Sequence, residues 1–127
     1  FNCFMAALKM PKNTEEEKVL RKTAMSQALK TASLVPLKVA GQSVRIFKFS
    51  RLMLERGNKN AATDAMVSAL AARTAAIGAL LNVRINLRLI HDPEFVRTTL
   101  EEVLRLETLT NEQEKEITEI GYQLLNQ

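Results

Sequence analysis

Apolar residues recur at three- and four-residue steps along nearly the whole chain, and breaks in that rhythm divide it into helices. Phe1, Phe4, Met5 and Leu8 share one face, as in the last turns of a helix that Pro11 brings to an end. "NTEEEK" marks the next start: Thr14 and Glu17 have the spacing of a capping box, and three consecutive Glu residues sit where the helix dipole favours negative charge. This helix is expected to run to about Leu34. Pro36 then predicts either a kink or a short break, since its ring removes an amide donor yet is tolerated in a first turn. Leu37, Ala40, Val44, Phe47 and Leu54 carry the helical rhythm onward, and Gly57 is the natural stop.

"NKNAATD" reads as a short polar connection, with Thr63 or Asp64 capping a helix that runs to about Ile90, roughly 40 Å at 1.5 Å per residue. Asp92 and Pro93 supply a cap and a first helical position for the next helix. The last segment carries Phe95, Leu100, Val103, Leu104, Ile117, Ile120 and Leu124. Thr110 with Gln113 has capping spacing, so one long helix and two shorter ones both stay open. The expected fold is all-α: one domain over residues 1–127, an antiparallel bundle of long helices with short loops. Because "FNCFMAAL" begins within an apolar pattern and has no cap, the chain reads as a fragment lacking an N-terminal segment.

Composition narrows the function classes. The chain has 127 residues, 46% hydrophobic and 25% charged, enough for one core. A single Cys3 and a single His91 leave no internal disulfide and no zinc-type ligand set, and a reducing, cytoplasmic setting is expected. The net charge is +4, but Lys and Arg are interleaved with Glu along most of the chain without a dense basic block, so nucleic acid is not expected as a partner. The longest uninterrupted apolar stretch, Ala75 to Leu81, falls far short of the roughly 20 residues of a membrane span. No Ser/His/Asp motif, GxGxxG or P-loop is present.

On the helix from Asp64, one stripe visits Asp64, Ser68, Ala71, Ala75, Gly78, Asn82 and Asn86, all small or polar. Another helix is expected to lie close against it. An unpaired amide in a buried helix costs about 1–3 kcal/mol, so Asn82 and Asn86 are expected to pair with a neighbouring chain or a ligand. Arg84 lies about 200° around from Asn82 and suits either an ion pair or a ligand contact. A homodimer is expected, since the helices are too few and too long to bury their apolar faces alone.

Four pieces in order, "PKNTEEEKVLR", "PLKVA", "GNKNAATDA" and "NVRINL", resemble the cyclodeaminase/cyclohydrolase family of folate one-carbon enzymes, over about Phe1 to Phe95. That family includes the cyclodeaminase domain of formiminotransferase-cyclodeaminase and bacterial methenyltetrahydrofolate cyclohydrolase. Its Pro-Gly-Gly-Gly-Ser-type stretch has no counterpart here. The resemblance implies a helical-bundle homodimer acting on a tetrahydrofolate that carries a one-carbon unit and, in some forms, a polyglutamate tail, with no cofactor beyond that substrate. In a cyclodeaminase, N10 attacks the N5 formimino carbon and ammonia leaves. In a cyclohydrolase, water adds to the methenyl carbon and the ring opens to formyltetrahydrofolate. It points to Asp64 as general acid/base or orienter of water, aided by Asn58 and Asn60, to Asn82 and Asn86 on the pterin edge or a facing helix, and to Arg84 as a further substrate contact. Lys12, Lys18 and Arg21 become candidate contacts for the glutamate tail. A catalytically inactive folate-binding or dimerisation module is the alternative.

Overall fold

The computed structural model describes residues 2–126; Phe1, the first member of the apolar face noted above, lies outside them. Four α-helices follow in order: α1 (Asn2–Leu8), α2 (Glu15–Arg56), α3 (Ala62–Leu87) and α4 (Pro93–Leu125), with a 3-10 turn at Lys59–Ala61. No strand occurs among the described residues.

The caps follow the sequence in three places. Thr14 accepts from the Glu17 amide while Glu17 reaches back to the Thr14 amide, completing the capping box. Asp92 accepts from the Phe95 amide at 3.0 Å, with Pro93 in the first turn. Gly57 ends α2 by donating to the Met53 carbonyl, and a Cβ at that position would lie 2.3 Å from the same oxygen.

Elsewhere the structure decides what the sequence left open, or departs from it. α2 runs unbroken for 42 residues through Pro36, its flanks held by packing along its length. α4 is likewise one helix: Thr110, the candidate cap, is wholly buried and its hydroxyl has no partner among the described residues. α3 starts without a side-chain cap, because winding begins earlier, at Asn58, whose side-chain Oδ1 accepts from the Asn60 amide. Asp64 therefore sits inside the first turn. α3 stops at Leu87, where turn bonds from Leu89 and Ile90 tuck Ile90 into the core.

α2 and α3 pack antiparallel, linked by Ser50–Ser68 at one end and by the His91 amide on the Ser26 hydroxyl at the other. The seam repeats every seven residues: Ser26, Ser33, Ala40, Phe47 and Leu54 on α2 meet Ala62, Ala69, Ala76 and Val83 on α3, all buried. Small side chains let the two backbones approach closely, and the Ser33 and Ser43 hydroxyls bond carbonyls of their own helix. α4 runs antiparallel to α3, through Arg73–Glu114 and Arg84–Glu107, and parallel to α2, through Lys30–Asp92 and Arg51–Glu116. Leu80, Val83, Val103 and Leu106 fill one end of the core; Phe47, Leu54 and Ile117 fill the other.

The small stripe from Asp64 to Asn86 is not the buried one. Asp64, Ala71, Ala75, Gly78 and Asn82 are exposed, and the packed alanines lie on the opposite face of α3. Two expectations from composition also change. Lys59–Leu87 is long and apolar enough, by length and composition, to cross a membrane, because Arg73 is the only charge from Ala65 to Val83. In this fold it is a bundle helix, packed on α2 and ion-paired to α4 through Arg73 and Arg84. Basic and acidic residues interleave in α4 but not in α2, which carries eight Lys or Arg and no acid between Glu17 and Glu55.

Candidate functional site

The antiparallel α2–α3 pair brings the start of α2 beside the end of α3 and the beginning of α4. There Lys12, Lys18, Arg21, Lys22 and His91 line a cavity of about 390 Å³ whose apolar wall is Met25 and Leu89. Among the described residues no carboxylate lines it. Lys18 and Lys22, one turn apart on α2, face the same space for the reason that residues at four-residue spacing share a helix face. Lys18 also donates to Glu15 at 2.6 Å, and Arg21 is held by the Leu8 carbonyl at 3.2 and 3.3 Å, where it closes the end of α1. A cluster of like charges around one space is offset when an anion fills it. The three residues read from the sequence as tail contacts, Lys12, Lys18 and Arg21, are thus brought together.

A second cavity of about 490 Å³ adjoins it, sharing Lys22 and His91 and adding Ser26, Lys30 and Asp92. Lys30 bonds the Asp92 carboxylate and lies 5.4 Å from the Phe95 ring centre. The Lys30 ammonium first, and the Phe95 amide second, hold the Asp92 carboxyl below the usual carboxylate range. Lys22, His91 and Lys30 were not among the sequence candidates. The four-residue step from Lys18 to Lys22 was a legible signal; His91 was not, since only the tertiary fold lays the α3–α4 connection against α2.

The other candidates lie apart from this cavity. Asn58 and Asn60 form the turn before α3, and Asp64 is exposed in its first turn, all at the far end of the bundle. Asn82 is exposed and donates to the Gly78 carbonyl at 3.0 Å, so it carries no buried-amide cost. Asn86 is half-buried near the end of α3 and does not line this cavity. Arg84 turns away to α4, bonding Glu107, and edges a separate cavity with Leu87, Arg88, Val96 and Leu100. Among the described residues no group of three His, Cys, Asp or Glu is placed to hold a metal ion.

The fold and this cavity define an all-α domain able to seat an anionic ligand with an apolar part. The chain belongs to the formiminotransferase-cyclodeaminase family, which it matches over residues 1–105, ten residues beyond Phe95, where the resemblance read from the sequence ends. It is 38% identical over 106 residues to the formimidoyltransferase-cyclodeaminase of Gallus gallus, covering 84% of this chain and 20% of that protein. It is 36% identical over 103 residues to the methenyltetrahydrofolate cyclohydrolase of Methylorubrum extorquens, covering 81% of this chain and 50% of the relative. The Rattus norvegicus formimidoyltransferase-cyclodeaminase is 35% identical over 99 residues. The chain spans half or less of the length of these relatives.

Proposed function

We propose that the protein is a folate one-carbon enzyme, a methenyltetrahydrofolate cyclohydrolase or a formimidoyltetrahydrofolate cyclodeaminase. The observation that carries this is the 36–38% identity to relatives bearing those names, beside a family match over residues 1–105 that takes in both the cationic end of α2 and the Asn58–Asp64 turn. The cavity chemistry supports it: four fixed cations and His91 around an apolar wall suit a ligand with an aromatic body and carboxylates at one end, polyglutamylated forms included. Both reactions pass through a tetrahedral carbon and transfer protons to or from nitrogen or water. A carboxylate such as Asp64, with the Asn58 and Asn60 amides ordering water, supplies such transfers without a metal or a further cofactor, worth about 10²–10⁴-fold.

We infer further that the working form is a homodimer built on α3. Its outward face, through Val67, Leu70, Ala75, Gly78, Leu81 and Ile85, carries no charge. An antiparallel second copy centred on Ala75 would set Asp64 of one protomer opposite Asn86 of its partner, and the turn before α3 beside the partner's cationic cavity. Polar groups that stand at opposite ends of one chain then share a site.

The test is to supply the protein with methenyltetrahydrofolate and, separately, formimidoyltetrahydrofolate. Loss of methenyl absorbance identifies the cyclohydrolase, and ammonia release identifies the cyclodeaminase. Neither signal from the complete protein would refute the reading.

A further inference from the structure

Among the described residues no side-chain hydrogen bond caps the first turn of α3. The turn before it closes on itself, the Asn60 amide donating to Asn58 Oδ1 at 3.0 Å and the Ala61 amide to the Asn58 carbonyl at 2.9 Å. Burial holds the start of the helix instead: Ala62, Ala65 and Met66 are buried, while Asp64 stands exposed among them on the outward side. The last part of α4 packs there, past residue 105, where the family match ends. Its Ile117 is fully buried in one cluster with Leu54, Ala62 and Ala65, Ile120 and Leu124 pack on the same cluster, and Glu116 is ion-paired to Arg51 of α2.

Gly121 meets Met66 at this point. A Cβ at Gly121 would lie 2.3 Å from Met66 Sδ and 2.4 Å from Met66 Cγ, whereas one at Gly41 or Gly78 would meet nothing within 4 Å. Glycine within a helix is destabilising relative to alanine, and at Gly121 the absent side chain is the space that Met66 fills. The thioether is thus a strut between the α4 backbone and the first turns of α3.

We propose that Gly121 is a positioning residue: by seating Met66 it fixes the start of α3 and, with it, the placement of Asp64. The proposal rests on the reading of Asp64 as acid/base of the folate reaction, and adds the end of α4 to the elements that set the rate. Filling the seat displaces Met66, and a shift of about 1 Å in a reacting group is enough to cost about 10²-fold.

The test is a double-mutant cycle on the complete protein, followed by methenyltetrahydrofolate decay and by ammonia release from formimidoyltetrahydrofolate. Gly121→Leu is expected to lower kcat by about tenfold or more with KM little changed, and Gly121→Leu/Met66→Ala, which returns the lost space, to recover most of the rate. In an Asp64→Asn background Gly121→Leu is expected to bring no further loss, since the group it acts through is gone; a fold defect would lower the residual rate again by the same factor. Hydrogen exchange gives a readout that needs no substrate: in Gly121→Leu the amides from Ala62 to Met66 are expected to exchange faster, and to regain protection in the Gly121→Leu/Met66→Ala variant. Gly121→Ala, a single added methyl on a better helix former, serves the same cycle if the Leu variant does not fold. Additive losses with Asp64→Asn, or unchanged exchange from Ala62 to Met66, would overturn the proposal and leave the folate reading standing. An inactive wild type would refute that reading and this proposal with it.

Discussion

Asp64 and Asn82 stand on the same exposed face of α3, about 27 Å apart along its axis at 1.5 Å per residue. One reacting carbon cannot touch both within a single chain. If the site is shared across a two-fold axis at Ala75, Asp64→Asn and Asn82→Ala/Asn86→Ala variants, each inactive alone, recover activity when mixed. Random pairing makes half the dimers mixed, each with one intact site of two, so about a quarter of wild-type activity returns. No recovery after confirmed subunit exchange contradicts a shared site.

The dimer face is open to a direct challenge. A Cβ added at Gly78 meets nothing within 4 Å, so Gly78→Arg leaves the protomer folded while planting a charge in the apolar face. Sedimentation equilibrium is expected to show a dimer for the wild type and a monomer for the variant, with circular dichroism unchanged. A wild-type monomer at micromolar concentration would contradict the interface.

Neighbouring alanines on α3 have opposite surroundings: Ala76 is fully buried in the α2 seam, whereas Ala75 is exposed. Ala76→Leu forces apart two closely packed backbones and is expected to destabilise by about 1–3 kcal/mol. Ala75→Leu is expected to stay within about 0.5 kcal/mol in the monomeric Gly78→Arg background. Urea denaturation of the two distinguishes the buried stripe from the exposed one.

Asp92 supplies the acid-pH prediction. Its carboxyl is lowered from 3.8, first by the Lys30 ammonium and then by the Phe95 amide, so its contribution to stability is complete above the unfolded value. That contribution fades as pH falls through the still lower folded value. Wild type is expected to melt above Asp92→Ala at pH 7, and the gap is expected to narrow as pH falls through and below the ordinary carboxylate range. A gap independent of pH would refute the assignment.

The helices and most of their ends were legible from sequence, because Thr14/Glu17, Gly57 and Asp92–Pro93 act locally. Continuity through Pro36 and Thr110 was not, since it depends on packing by other helices. The choice between two small stripes on α3 was hidden as well: that helix is apolar or small nearly all round, and only the placement of α2 decides which face is inner. Of the site, the Lys12, Lys18 and Arg21 cluster was readable as a basic helix start. The addition of Lys22 and His91, and the distance of Asp64 from them, required the tertiary fold.

The central claim is tested most directly by the rate at which methenyltetrahydrofolate absorbance decays with the complete protein, measured side by side for wild type and Asp64→Asn at equal concentration. A cyclohydrolase using Asp64 in proton transfer is expected to accelerate the decay well beyond the uncatalysed rate, with Asp64→Asn slower by about 10²–10⁴-fold. Wild type and Asp64→Asn accelerating it equally would contradict the role of Asp64. Neither accelerating it, with no ammonia released from formimidoyltetrahydrofolate, would contradict the account itself.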